Sequence, residues 1–197
     1  MNYFAHLCLA KQTPESLIGN LLGDFMRGVD RRTLSPAISR GLENHRQVDR
    51  FTDTHPLIQA LKQLFDPTCK RFAGIALDIY FDHLLIKHWE RLDCRNLKQV
   101  NEHFYQTLAT HLHMMPSERM QTVSSRIVSG RWFDAYANQY NTLEAVRRAA
   151  TRVRFANSFD RACSELLKNE NEIESTFLRF YPLLVAHVRD QRIEADN

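Results

Sequence analysis

Residues 72–89, FAGIALDIYFDHLLIKHW, constrain the fold most, because they are apolar on most faces of a helix and still carry two aspartates. This pattern predicts a buried central helix. Asp78 and Asp82 lie four residues apart and therefore project from the same side of that helix. Ionised carboxylates buried in such a place are costly unless a positive group meets them. The segment predicts a bound divalent metal ion, with arginines from elsewhere in the chain as the alternative partners.

The rest of the chain shows helical rather than alternating periodicity. Proline at the first helical position and one capping box predict further helix starts, at Pro14, Pro36, Pro56 and Asn141. Residues 158–189 predict a long, broken helix, with a kink or a boundary at Pro182. We therefore predict one all-α globular domain of eight to ten helices spanning residues 1–197, with a frayed polar tail at 191–197.

The charge is unevenly distributed, although the net charge is only +3. The first 71 residues are rich in basic side chains: Arg27, Arg31, Arg32, Arg40, Arg46, Arg50, Lys70 and Arg71. This distribution favours an acidic partner or a phosphate-bearing substrate, and a solvated face is the alternative. The four cysteines are scattered without a CxxC pair, and no run of 18 apolar residues occurs. We expect a cytoplasmic protein with free thiols and no membrane span.

The first candidate for a functional residue is Asp24. It shares a helical face with Asn20 and Arg27, in the largely apolar string GNLLGDFMRG. An acid in an apolar setting, one turn from an arginine, is typical of a functional site. The alternative is a solvated acid at a helix end.

A second candidate cluster lies in residues 45–55, where His45, Asp49 and Asp53 are spaced at i, i+4 and i+8. A histidine and a carboxylate at this spacing can share a metal ion, or the carboxylate can orient the imidazole. Arg46 and Arg50 form a parallel stripe that could grip phosphate oxygens. The alternative for the cluster is an exposed helix with internal salt bridges. For Asp53, the alternative is a purely structural role as the cap of the next helix.

Two other histidines deserve comparison with these clusters. His83 follows Asp82, but neighbouring side chains on a helix point about 100° apart. His6 stands alone in an apolar segment, where a histidine is more often a satisfied core residue. The aromatic residues Trp132, Phe133, Tyr136 and Tyr140 indicate a core stripe rather than a stacking platform. Mixed oxygen and imidazole ligands suit manganese, iron, zinc or magnesium, and a carboxylate-rich set favours manganese or magnesium.

Four motifs in order carry a resemblance to a known family: MNYFAHL at 1–7, GNLLGDFMRG at 19–28, HRQVDRFTD at 45–53 and LDIYFDH at 77–83. The sequence resembles the acyl carrier protein phosphodiesterases, which are regarded as divergent members of the HD phosphohydrolase superfamily. The resemblance implies an all-helical, HD-domain-like, metal-dependent enzyme with Mn²⁺ favoured and Mg²⁺, Fe²⁺ or Zn²⁺ possible. It also implies hydrolytic removal of the 4′-phosphopantetheine arm from holo acyl carrier protein, giving the apo carrier and 4′-phosphopantetheine.

The adjacent pair Asp82-His83 reverses the usual His-Asp order of that superfamily, so ligands are better predicted from burial and spacing. The predicted metal ligands are Asp24, His45, Asp49, Asp78 and Asp82. Arg27 and Arg46 are predicted to neutralise phosphate oxygens, and His6 or His83 to protonate the leaving group. The predicted partner is the acidic carrier protein, with neither nucleic acid nor membrane involved.

Three alternatives remain open at this level. The first is an HD-type phosphohydrolase that acts on a nucleotide or another small phosphate ester. The second is a non-catalytic helical module that binds nucleic acid, although no helix-turn-helix or zinc signature is present. The third is a purely structural helical protein in which Asp78 and Asp82 meet internal arginines.

Overall fold

The computed structural model describes residues 1–150 and 159–195, and every regular element in these ranges is helical. The described α-helices are α1 (Tyr3–Leu9), α2 (Pro14–Leu22), α3 (Pro36–Thr54), α4 (Pro56–Gln63), α5 (Ala73–Lys87), α6 (Trp89–Leu92), α7 (Leu97–Thr110), α8 (Glu118–Ser129), α9 (Trp132–Ala135), α10 (Gln139–Ala150), α11 (Phe159–Lys168) and α12 (Glu170–Gln191). The predicted all-α class is confirmed. The twelve helices of the described ranges exceed the predicted eight to ten, partly because α6 and α9 are single turns.

The predicted starts of α2 and α3 are confirmed by their caps. Thr13 and Ser35 accept hydrogen bonds from the backbone N–H groups of Ser16 and Ile38, each with proline at the first helical position. Asp53 does not cap α4, since its carboxylate contacts Lys62 Nζ at 2.8 Å. His55 takes that role, because its Nδ1 accepts from Leu57 N–H at 3.2 Å.

Two predicted boundaries near the C-terminus are wrong. The helix predicted to start at Asn141 begins at Gln139, because the Asn138 side chain accepts from the backbone N–H of residue 141. Its predicted end near residue 154 lies outside the described residues. The C-terminal helix is interrupted at Asn169, whereas Pro182 lies inside α12.

The predicted frayed tail also makes contacts. Glu194 accepts hydrogen bonds from Lys11 N–H at 3.0 Å and from Ser16 Oγ at 2.5 Å. These contacts tie residue 194 to the start of α2. None of the described helices combines the length and apolarity that crossing a membrane requires.

Helix α5 is the predicted central helix, and eleven of its fifteen residues are buried. It packs against α1, α10, α11 and α12. Tyr80, Phe81 and Leu84 are each fully buried, as expected for a helix that is apolar on most faces. One side of α5 therefore meets α1, which brings the N-terminal motif beside Asp78 and Asp82.

Helices α2 and α3 cross at very short range through Gly19 and Gly41. A Cβ on Gly19 would lie 2.3 Å from the Ile38 carbonyl oxygen, and one on Gly41 would lie 2.7 Å from the Ser16 carbonyl oxygen. No larger residue fits at either position without moving a backbone. This close crossing places the second half of α2 directly against the middle of α3, where His45 lies.

Candidate metal centre

The Asp49 carboxylate joins two histidines from different helices. Its Oδ1 lies 3.1 Å from His6 Nε2, and its Oδ2 lies 3.0 Å from His45 Nε2. One nitrogen or oxygen from each of these residues lies within 4.8 Å of the others. We call His6, His45 and Asp49 the ligand group. Two imidazoles and a carboxylate are a donor set that suits a first-row divalent metal ion.

His45 is held by its other ring nitrogen. Nδ1 donates to the Asn20 carbonyl oxygen at 2.7 Å, which leaves Nε2 facing Asp49. Gly23 makes room for the ring, because a Cβ there would lie 2.0 Å from His45 Cδ2. The Asn20 side chain accepts from Asn44 Nδ2 at 2.9 Å and so adds a second link between α2 and α3. Outer contacts of this kind fix the tautomer and orientation of metal-binding histidines.

His6 lies in α1 and is completely buried. Its ring stacks on that of His45, with centroids 3.9 Å apart and planes 18° apart. Neither ring nitrogen makes a hydrogen bond of good geometry with the described residues, despite the short distance to Asp49. A buried imidazole without hydrogen bonds is unfavourable by itself. Coordination of a metal ion by Nε2 would remove part of this deficit, so the residues present fit such an ion.

The protonation states of the ligand group follow from burial and pairing. Burial, and secondarily the like charge of His45, lowers the pKa of His6 to about 3. Burial also acts to lower the pKa of His45, but its pairing with Asp49 outweighs this and raises the pKa. Burial acts to raise the pKa of Asp49, but its close contacts with His45 Nε2 and His6 Nε2 and the charge of the N-terminal amino group outweigh this and hold the pKa well below its ordinary value. Without a metal ion, the group is a neutral His6, a protonated His45 and an ionised Asp49 near pH 6.

Two predicted ligands lie at the edge of the ligand group. Asp78 Oδ1 is 3.0 Å from the amino group of Met1, which also lies 3.3 Å from Asp49 Oδ1. Asp24 is an exposed residue, but desolvation of its carboxyl raises its pKa, and it interacts electrostatically with His45, Asp49 and Asp78. Asp24 and Asp78 therefore lie close to the ligand group without belonging to it.

Asp82 is held differently from the prediction. It is fully buried, and its carboxylate accepts from the backbone N–H groups of Phe4 and Ala5 at 3.0 Å and from Asn2 Nδ2 at 2.9 Å. These bonds satisfy the first turn of α1, where a negative charge is favourable. The structure therefore gives Asp82 backbone donors where the sequence predicted a metal ion or arginines.

His83 does not lie with the ligand group. Its Nδ1 donates to the Tyr136 carbonyl oxygen at 2.7 Å, and its ring lies 5.4 Å from that of Tyr80. The difference follows from the 100° step between neighbouring helical residues. Arg27 is exposed, and Arg46 lies 3.9 Å from Glu43. Their predicted contacts with phosphate stay predictions.

The residues that sequence reasoning missed are those that position others. Asn20 was noticed only for sharing a face with Asp24, yet its backbone carbonyl orients His45. Gly23 carries no sequence signal beyond its place in the GNLLGDFMRG string. His6 was predicted to protonate the leaving group, but the stacking of its ring on that of His45 places it in the ligand group. A backbone acceptor and a steric gap leave no mark in residue type, so only the helix crossing identifies them.

The fold and the site together define an all-α protein in which two buried histidines and a partly exposed aspartate form a group whose atoms can hold a metal ion. The sequence matches the family described as Acyl carrier protein phosphodiesterase over residues 1–184. The chain belongs to this family, which confirms the resemblance stated from the motifs. No solved structure matches the chain, so its HD-like character stays a prediction.

Curated relatives extend the match over nearly the whole chain. The acyl carrier protein phosphodiesterase of Yersinia enterocolitica is 33% identical over 195 residues, covering 98% of this chain and all of the relative. That of Serratia proteamaculans is 33% identical over 198 residues with the same coverage. An Escherichia coli protein of the same name is 29% identical over 186 residues, covering 94% of this chain and 96% of the relative.

Proposed function

We propose that this protein is a metal-dependent phosphodiesterase that hydrolyses the 4′-phosphopantetheine arm from holo acyl carrier protein. The products are the apo carrier, with a free serine, and 4′-phosphopantetheine. The observation that carries the proposal is the convergence of His6, His45 and Asp49 in a member of the acyl carrier protein phosphodiesterase family. Mn²⁺ is the proposed ion, with Mg²⁺, Fe²⁺ or Zn²⁺ as alternatives.

The ligand group would hold the ion through His6 Nε2, His45 Nε2 and the Asp49 carboxylate, with Asp78 as a further candidate. When bound, a divalent ion lowers the pKa of a water molecule and draws charge from a phosphate oxygen. The protein's own contribution is orientation: the Asn20 carbonyl fixes the His45 ring, and the helix crossing fixes Asn20. Arg27 and Arg46 are proposed to neutralise the remaining phosphate oxygens.

The reaction adds the oxygen of water to phosphorus and breaks the bond between phosphorus and the serine oxygen, which must leave with a proton. His83 lies elsewhere, and His6, whose pKa is about 3, is already neutral near pH 7 and has no imidazolium proton to give. We assign proton donation to Asp24, the carboxyl of raised pKa at the edge of the ligand group. Asp24→Asn should then lose turnover and keep its metal ion, whereas loss of the ion would make Asp24 a ligand, as the sequence predicted.

Carrier proteins are acidic around the modified serine, and the first 71 residues of this chain carry its net positive charge, with ten Lys and Arg against seven Asp and Glu. Opposite charges speed the encounter of two proteins. We propose that the exposed basic side chains of these 71 residues meet the carrier and that the reaction takes place in the cytoplasm. Neither nucleic acid nor a membrane is part of the proposal.

Incubation with holo acyl carrier protein and Mn²⁺ tests the function directly. Mass spectrometry should show the carrier losing the mass of its arm, with 4′-phosphopantetheine released into solution. His45→Ala and Asp49→Ala should abolish the loss and the Mn²⁺ content together. Unchanged holo carrier, with turnover of nucleotides or other small phosphate esters instead, would favour the alternative hydrolase.

A further inference from the structure

A cavity of about 580 Å³ lies between α1, α5, α8, α9 and α10, and we call it the α8–α10 cavity. Its volume falls in the ~300–1,000 Å³ range of pockets that bind small molecules. Its described lining combines apolar and hydrogen-bonding side chains, among them Asn2, Ile79, Arg126, Trp132, Asn141 and Ala145. Trp132 and Tyr136, which the sequence indicated as core residues, both face this space.

The cavity adjoins the candidate metal centre through consecutive residues on two helices. Asn2 and Tyr3 line it, and they directly follow Met1, whose amino group contacts Asp49 and Asp78. Ile79 lines it from α5 and directly follows Asp78. Consecutive Cα atoms are about 3.8 Å apart, so the cavity wall begins one residue from Met1 and one residue from Asp78, which border the ligand group.

The substrate geometry gives this adjacency a meaning. The scissile phosphate links the serine of a folded carrier protein to the pantetheine chain, and the two leave phosphorus in different directions. With the phosphate at the ligand group, the carrier must stay outside, and the pantetheine chain needs a space that is continuous with the centre.

The side chains that line the cavity match the chemical groups of pantetheine. Pantetheine has a gem-dimethyl group and methylene segments, which suit Ile79, Trp132 and Ala145. It also has two amides and a hydroxyl group, which can exchange hydrogen bonds with Asn141 and Arg126. Mixed pockets with a few convergent polar groups are the usual form of small-molecule sites.

Resting on the proposed function, we propose that the α8–α10 cavity binds the pantetheine portion of the arm and sets the specificity for it. A second cavity, of about 1010 Å³, lies around α6 and the start of α7. Among the described residues that line it, none is a sequence neighbour of the ligand group or of Asp78. It therefore serves as the internal control.

The test compares two alanine-to-tryptophan variants. Ala145→Trp fills the α8–α10 cavity, and Ala137→Trp makes the same change in the control cavity. Asn141→Trp, at an exposed position of the same lining, is a second filling variant in case Ala145→Trp folds poorly. Each variant is assayed with Mn²⁺ on holo carrier protein and on bis(p-nitrophenyl) phosphate, a diester without a pantetheine chain, and each is titrated with free pantetheine by calorimetry.

We expect the filling variants to lose at least about tenfold in kcat/KM on holo carrier, the lower end of what a changed pocket contact is worth. They should hydrolyse bis(p-nitrophenyl) phosphate like the unaltered protein and should no longer bind pantetheine. Ala137→Trp should behave normally in all three assays. Normal activity of the filling variants on holo carrier, or a selective loss in Ala137→Trp, would overturn the cavity assignment. Failure of the unaltered protein on holo carrier would instead count against the proposed function, while pantetheine binding would still report on the cavity.

Discussion

Replacing Asp82 by asparagine separates a structural aspartate from a metal ligand. The carboxylate accepts three hydrogen bonds, two of them from backbone N–H groups at the start of α1. Asparagine keeps the shape but has one oxygen and one NH₂ group. In its better orientation, the oxygen serves Phe4 and Asn2, and the NH₂ group faces the N–H of Ala5. That buried donor then loses its acceptor.

The expected loss of stability follows from this one unpaired donor. A buried donor without an acceptor costs about 1–3 kcal/mol. For a chain of this length, each kcal/mol lowers Tm by about 2–4 °C, so Asp82→Asn should lower Tm by about 2–12 °C. Asp78→Asn is the matched control one turn earlier on α5, since its side chain is 35% exposed and its ion pair should be worth at most about 1 kcal/mol.

Circular dichroism gives Tm, and elemental analysis after loading with Mn²⁺ gives the metal content. Below its Tm, Asp82→Asn should bind as much Mn²⁺ as the unaltered protein. A variant with normal Tm and no bound metal would refute the capping role and restore Asp82 as a ligand.

The same residue predicts a pH dependence. Burial raises the pKa of Asp82 to about 7, against the opposing effect of its three donors. The folded chain then binds a proton that the unfolded chain, with a pKa near ~4, has released. Stability should therefore fall as pH rises between about 4 and 7. Denaturant titrations across this window should show a smaller slope with pH for Asp82→Asn.

Three further predictions concern the centre. Gly23→Ala should weaken Mn²⁺ binding by about 10–100-fold, the range for lost outer contacts, because its Cβ would displace the His45 ring. Gly74→Ala is the control, since its Cβ would meet only the Lys62 side chain at 3.8 Å, and it should bind Mn²⁺ normally in a metal titration. Mn²⁺ binding at pH 6 should release about one proton, because His45 must become neutral to bind the ion. Calorimetry in two buffers of different protonation enthalpy measures the number of protons released, and zero release would contradict the raised pKa of His45. The value of kcat/KM on holo carrier should fall as salt shortens the screening length from about 10 Å at 0.1 M to about 3 Å at 1 M. Hydrolysis of bis(p-nitrophenyl) phosphate, a small monoanion without an acidic protein surface, serves as the control, and equal salt responses would argue against steering by the arginines.

Local sequence patterns were enough to predict most of the helices and the residue types that carry the chemistry. Periodicity and caps depend on neighbours along the chain, so α2, α3 and the central α5 were predictable from local patterns. The i, i+4 spacing placed His45 beside Asp49 on α3, and the structure brings them to 3.0 Å. The motifs also indicated the family.

Which acids and histidines meet depends on how the helices pack. Asp78 and Asp82 share a helical face, yet α1 supplies an amino group to one and backbone donors to the other. His6 joins His45 because α1 packs against α2, which in turn packs against α3, although 39 positions separate the two histidines in the chain. The helical turn that carries a side chain fixes the direction in which it points. Its partners come from the helix that packs against that turn, and the packing depends on contacts distant in sequence, such as the Gly19–Gly41 crossing.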